Sequence, residues 1–482
     1  MSCNDFAYKG LWRFFEEISA VPRPSFHEEK IADYLCDFAS KRGLECYRDE
    51  IHNVLIKMNG SAGRENEAAI LLQGHSDMVC EKNEGTEHDF MRDGLKLYVE
   101  NGFLRAKGTT LGADNGVAVA VMLYILDGAD GNLPSHPPIE CLFTVSEEVG
   151  LEGANNFDYS KISARRMINM DSADESLIIA GCAGGKRTIM TYDPKLEASF
   201  GEAVQITLKG LAGGHSGEDI EKGRANANKL IGRVLLEISQ QYDIRIASLV
   251  GGSKDNAIPR EAQTVIVCQK AETVIAKVEE IAKDIASELG KDDAAFSMTA
   301  KISSLPEKVM TKEDGDKLIF LMATIQNGIF EMNKSIAGLV EFSRNFGVME
   351  TADDLSQIRF TFHTRSPRNS QLEYSMAQLE SYASMLGAKL EHGAFYPGWE
   401  YADCSPLRDA YADAYREIFG KDIEITTIHA GLECGIIKER LRDMDIISCG
   451  PIVLNLHSPE ECMDIKSFER FFSVINKLIS SI

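Results

Sequence analysis

The segment NGVAVAVMLYILDG, residues 115–128, is apolar on nearly every side. A helix with no polar face has to be enclosed by other elements. Short apolar runs surround it and read as strands: NVLIKMNG (53–60), AAILLQG (68–74), IECLFTVS (139–146) and RRMINMDS (165–172). Upstream, LWRFFEEISAV and EEKIADYLCDFASKRG have the spacing of amphipathic helices, the second closed by Gly43. Strands alternating with helices predict an α/β layer architecture up to about residue 185. The chain has 482 residues, beyond the ~250–300 at which one core stops growing, so at least two domains are expected.

The pattern changes at AGCAGGKRTIMTYDP (180–194). Beyond it, AVQITLKG and QTVIVCQK alternate polar and apolar, flanking the helical stretches ANKLIGRVLLEISQQ and AETVIAKVEEIAKDIASELG. That is the pattern of an antiparallel sheet with helices on one face. LVGGSKDNAIPREAQTVIVCQK and VEFSRNFGVMETADDLSQIRFTFHTRSP each read as a hairpin and strand leading into a helix, which suggests two similar halves. A helix near 407–419, the strand MDIISCG and the closing helix IKSFERFFSVINKLIS return to α/β character. The expected arrangement is an α/β domain made of both chain ends (1–186 and 398–482) around an inserted α+β domain (187–397).

Charge narrows the partners. With 74 acidic against 51 basic residues the formal net charge is −23, which opposes nucleic acids and anionic membranes. No apolar run approaches the ~18 residues of a membrane span, and MSCNDFAYKG lacks the basic start and apolar run of a secretory signal. Eleven cysteines, an odd number with no CxxC pair, read as reduced thiols in a cytoplasmic protein.

The strand-like runs end in residues that can serve a metal. His75 and Asp77 follow AAILLQG, Asp114 stands in GTTLGADNG before the buried helix, Glu147 and Glu148 follow IECLFTV, and Asp171 follows RRMIN. His457 comes late, in VLNLHSPEE. Open α/β folds bind ligands outside the carboxyl ends of their strands. Two histidines with three carboxylates suit zinc, or manganese and cobalt in a similar frame. Five ligands exceed the needs of one ion and suit two that share a carboxylate, a pairing that polarises a carbonyl and activates water. Glu147, beside a candidate ligand, is placed to act as base, and Asp77 to orient the His75 ring.

GHSDMV, GADNGVA, SEEVGLEGA, NMDS and LHSPEE, in that order, resemble the motifs of the aminoacylase and glutamate-carboxypeptidase family of di-zinc peptidases. GTTLGADNGVAVA, AGGHSG and HAGLECG resemble its aminoacyl-histidine (Xaa-His) dipeptidase branch. The resemblance implies a di-zinc catalytic domain with an inserted lid domain. It implies two divalent ions, zinc foremost, with Asp114 bridging, His75 and Asp171 on one ion, Glu148 and His457 on the other, and Glu147 as general base. In the lid it implies that His215 stabilises the oxyanion and that Arg365 grips a substrate carboxylate, with Asn256 a further candidate nearby. HAGLECG departs from the Gly-rich Thr/Ser–Asp loop of many relatives. Glu433 could receive a free amino group there, and His429 reads as structural.

The expected function is hydrolysis of unblocked dipeptides, with C-terminal histidine implied by the resemblance alone, by a monomer or homodimer. Two alternatives stand beside it: an amidohydrolase of N-acyl amino acids, and a non-catalytic protein stabilised by metal, against which the presence of Glu147 argues. Glycines 184, 185, 393 and 398 are expected to ease a hinge, with a doubled lid supplying His215 within its own chain.

Overall fold

A computed structural model describes residues 7–128, 135–334 and 336–482. The chain forms two compact units, one of Met1–Cys182, Trp399–Thr427 and Leu432–Ile482, the other of Ala183–Gly398 and Ile428–Gly431.

The first unit is built on an eight-stranded mixed sheet. Its order is Glu45–Arg48, Val54–Met58, Ile139–Thr144, Ile70–His75, Arg166–Asn169, Asp445–Ser448, Leu177–Cys182 and Glu424–Ile428. The four strands from Ile139–Thr144 to Asp445–Ser448 run parallel. Ile70–His75 and Ile139–Thr144 are buried at every position, because layers cover both faces of such a sheet; hence their continuous apolar sequences. His75 pairs across from Thr144 and Gln73 from Asn169, so the parallel strands end level and the polar residues that follow emerge together. The helix Ala113–Asp127 is buried at every position except Asp114 and Asp127, as its lack of a polar face requires. It lies so close to the sheet that a Cβ at Gly74 would fall 2.3 Å from Ala118 Cβ.

A separate four-stranded sheet places the late histidine. Val453–Leu454, Cys462–Asp464, Phe103–Ala106 and Leu97–Glu100 pair in that order. The loop carrying His457 is thereby clipped to the segment preceding Asp114. These strands of two to four residues carry too little pattern to be read from sequence.

The second unit has a nine-stranded sheet whose recorded pairings are all antiparallel. Its core joins strand residues such as Ile206, Ile266 and Phe360 to Ile231, Val278 and Leu379 of the helices Ala227–Ser239, Ala271–Glu288 and Asn369–Leu386. The expected repeat is visible as two hairpins, Ile244–Gly251 with Ala262–Cys268 and Val340–Thr351 with Ile358–Ser366, each leading into a helix. They meet where Val250 and Gly251 pair with Glu350 and Met349. Near the unit's chain ends, glycine is required by close approach: a Cβ at Gly184 would lie 2.5 Å from Gly398 N, and one at Gly185 2.2 Å from the Tyr396 ring.

Candidate active site

The strand-end residues of the first unit converge. His75 Nε2 lies 3.0 Å from Asp114 Oδ1 and 3.6 Å from Asp171 Oδ1. His457 Nε2 lies 3.1 Å from Asp114 Oδ2 and 3.2 Å from Glu148 Oε2. Asp114 therefore turns one oxygen to each of two groups, His75 with Asp171 and His457 with Glu148. In each of these groups, and in His75–Glu147–Glu148, the potential ligand atoms lie within 4.8 Å of one another. His75, Asp77, Asp114, Glu147, Glu148, Asp171 and His457, the seven residues expected to form the metal centre, belong to one cluster.

Local structure explains how they are held. Asp77 is fully buried; it accepts hydrogen bonds from Ser25 Oγ (2.7 Å), Glu147 N (3.1 Å) and Glu148 N (3.4 Å), and its Oδ1 stands 3.3 Å from His75 Nδ1. One carboxylate thus orients the ring and the neighbouring acidic loop. That loop starts at Ser146, a non-glycine residue in the left-handed region (φ 49). Glu28 accepts from both Ser146 N and Oγ at 2.7 Å and holds the turn. His457 is also left-handed (φ 59). Such conformations persist where the surroundings over-determine them, and they collect at functional sites. Asn115 Nδ2 donates to Asp171 Oδ1 at 3.0 Å.

The electrostatics favour added cations. Among the described residues, the ion-pair partners of Asp114, Glu148 and Asp171 are the two histidines. Burial opposes charge on His75, yet the hydrogen bond with Asp114 and the nearby carboxylates of Asp171 and Asp77 hold it protonated well above its ordinary range. Hydrogen bonds to Asp114 and Glu148 lift His457 to about 10. Burial pushes Glu147 well above the usual carboxylate range, reinforced by Asp171, Glu433 and Glu148 against His75. Glu148 Oε1 is buried without a hydrogen-bond partner. Protons retained among clustered carboxylates, and an orphaned carboxylate oxygen, are what a site for divalent ions presents when only protein atoms are counted. Two imidazoles with carboxylates are also an appropriate donor set, so the residues fit a metal centre.

Glu433 lies in the same unit but is wholly buried, its Oε2 accepting from Gln73 Nε2 and Thr144 Oγ1. Gln73 in turn accepts from Asn169 Nδ2 at 2.6 Å, a polar chain beneath the strand ends. The second unit gathers the remaining candidates. Arg365, 4% exposed, donates to Tyr396 Oη at 2.8 Å and stands 3.4 Å from His215 Nε2. His215 is fixed by its N–H to Asp219 Oδ2 (2.8 Å), and Asn256 by its carbonyl, which accepts from Ser216 N at 2.8 Å. His429 is buried with Nε2 2.7 Å from Ser343 Oγ. Sequence reasoning missed Glu28, Arg23, Glu461 and Tyr396; of these only Glu461 lies in a motif read for chemistry, LHSPEE, while Glu28 opens the stretch EEKIADYLCDFASKRG, whose spacing indicates only a helix.

Residues 71–481 match the model of peptidase family M20/M25/M40. The cytosol non-specific dipeptidase of Escherichia coli (strain K12) is 35% identical over 476 residues, 98% of this chain and 97% of its own. The crystal structure of aminoacylhistidine dipeptidase from Vibrio alginolyticus superposes with a TM-score of 0.93 at 36% identity, covering 100% of this chain and 98% of that one. Aminopeptidase PepT from Bacillus cereus ATCC 10987 shares the fold, with a TM-score of 0.58 at 16% identity over 98% of both chains. The family resemblance carried by the five motifs is borne out, as is the mixed α/β architecture. Over a matched span that contains every member of the strand-end cluster, the chain belongs to peptidase family M20/M25/M40.

Proposed function

We infer that this peptidase is a metal-dependent dipeptidase acting on unblocked dipeptides, those with C-terminal histidine among them. The two relatives of similar length, a non-specific dipeptidase and an aminoacylhistidine dipeptidase, support the substrate class. The name of the first also supports a cytoplasmic location. No helix among the described residues is long and apolar enough to cross a membrane.

The observation that carries the mechanism is the division of Asp114, one oxygen toward each histidine–carboxylate pair. In this reading His75 and Asp171 hold one divalent ion, Glu148 and His457 a second, and Asp114 bridges, with zinc foremost and manganese or cobalt as alternatives. Bound there, the ions would polarise the scissile carbonyl and lower the pKa of water. Glu147, whose burial favours carrying a proton, takes the proton of the attacking water and delivers it to the leaving amine. Asp77 keeps His75 in the ring orientation that turns Nε2 to the site. In the inserted unit Arg365 is suited to a substrate carboxylate, with Asn256 beside it, and His215 to the developing oxyanion. Burial, then Arg365, holds His215 below its ordinary pKa, which favours the neutral ring. Glu433, when ionised, is the candidate counter-charge for a free α-ammonium group.

Metal analysis of purified protein should give close to two ions per chain, and Asp114→Ala should lose both. Full occupancy in that variant would sink the bridging assignment. A panel of dipeptides with their N-acyl counterparts tests the substrate class: hydrolysis confined to the acylated compounds would overturn the dipeptidase reading.

A further inference from the structure

We propose that Glu461, acting with Arg23, is a positioning residue of the catalytic centre, setting the loop Leu111–Asp114 so that Asp114 can serve both halves of the site. The inference rests on the bridging role proposed for Asp114. Glu461 is 2% exposed and receives four consecutive backbone N–H groups. Its Oε2 accepts from Leu111 (2.7 Å) and Gly112 (2.9 Å), and its Oε1 from Ala113 (2.9 Å) and Asp114 (3.3 Å). Successive N–H groups pointing one way form an anion-binding concavity; here the anion is the protein's own side chain.

Arg23, also 2% exposed, holds the same loop from the other side. Its Nη2 donates to Gly112 O at 2.6 Å, and its Nη1 to Ser76 O (3.1 Å) and Asp77 O (3.0 Å). The Gly112 residue is thus gripped through both its N–H and its C=O. Its φ is +64, and a Cβ would lie 2.5 Å from Arg23 Nη2 and 2.8 Å from Met78 Sδ, so only glycine fits between them. Two buried charges therefore connect the loop after His75, the loop ending at Asp114 and the segment four residues beyond His457. Burying charges is weak evidence of stabilisation. Their common feature is that every hydrogen bond named here ends on backbone within three residues of His75 or Asp114.

The test uses the full-length protein with Glu461→Gln, Glu461→Ala, Arg23→Lys and Asp114→Ala. Zinc content and affinity are read by competition with a chelator, well below the melting temperature, alongside kcat and KM. In Glu461→Gln one cradle position becomes an NH2 group facing N–H donors, so zinc affinity should fall roughly 10–100-fold, the range for outer partners of metal ligands. Activity at limiting zinc should fall with it, and KM should change little at saturating zinc. Arg23→Lys keeps the charge but loses the fork, and should show a smaller loss. Combined with Glu461→Gln it should lose less than the product of the two, because both act on the same residue. If Asp114→Ala loses metal while Glu461→Gln and Arg23→Lys bind zinc like the parent, the positioning role is wrong, even if both melt earlier. If Asp114→Ala itself retains both ions, the underlying bridging assignment has failed. Should Glu461→Ala not fold, the Gln and Lys variants decide.

Discussion

Glu147 directly follows Ser146, a residue held in the left-handed region. The left-handed Ser146 aims the two glutamates into the cluster, and Asp77 accepts the N–H of each. Replacing Glu147 by Gln keeps that backbone and the side-chain shape while removing the base. The variant should bind metal as the parent does and lose about 10²–10⁴-fold in turnover; near-parental hydrolysis would show that another group takes the proton. The strand-end residues were legible because they stand at the ends of apolar runs, and Asp114 because it stands just before the apolar run 117–126. Glu28 and Glu461 were not, because they act on partners 118 and about 350 residues away. Arg23, in a short loop, gives no local sign that it donates to three carbonyl oxygens. The sequence shows which side chains can hold an ion; the partners that aim them are a property of the assembled unit.

Among the elements, the strand Ile70–His75 and the helix Ala113–Asp127 are the pair on which the site depends, since one ends in His75 and the other carries Asp114 in its first turn. Both were readable from their uninterrupted apolar composition, and their contact is what periodicity could not supply. The contact passes through Gly74, where a Cβ would overlap Ala118 Cβ. Gly74→Ala should separate the two elements, costing about 1–3 kcal/mol as overpacking does, and should weaken metal binding by moving His75 from Asp114. Ala118→Gly vacates the space, so the double variant should recover much of the metal affinity despite a second glycine in a helix. Chelator competition on the four proteins checks this, and strictly additive losses would show that the contact does not set the His75–Asp114 spacing. The four-stranded sheet that seats His457 illustrates the opposite case. Its strands become recognisable only through their pairing, as Met463 does opposite Leu104 and Val453.

At the scale of the molecule the large hydrophobic cores of the two units share no residue among those described, and their buried ionisable groups respond to acid in opposite directions. In the second unit burial lowers His363 to about 4 and His429 to about 3, Arg365 contributing to both. A histidine held neutral in the fold gives stability that is present above its unfolded pKa near 6.5 and is lost as pH falls through the folded value. Between pH 6.5 and 5 that loss reaches about 2 kcal/mol for each. In the first unit burial raises Glu433 to about 7, with Asp171 adding and the bonds from Thr144 and Gln73 opposing. A carboxyl raised in the fold binds its proton more tightly than in the unfolded chain, so its contribution is lost as pH rises through 7 and regained on acidification toward 4.5. With a chelator present to keep metal binding out of the measurement, scanning calorimetry from pH 7 to 5 should therefore show the second unit's transition falling relative to the first. His363→Asn should flatten that fall without altering the first unit's response. A parent protein whose transitions stay level across this range, or an Asn variant that falls just as steeply, would refute the assignment of acid sensitivity to these histidines. The consequence for function is that acid should loosen the unit bearing His215 and Arg365 through groups that are not themselves proposed ligands, separately from any loss of metal.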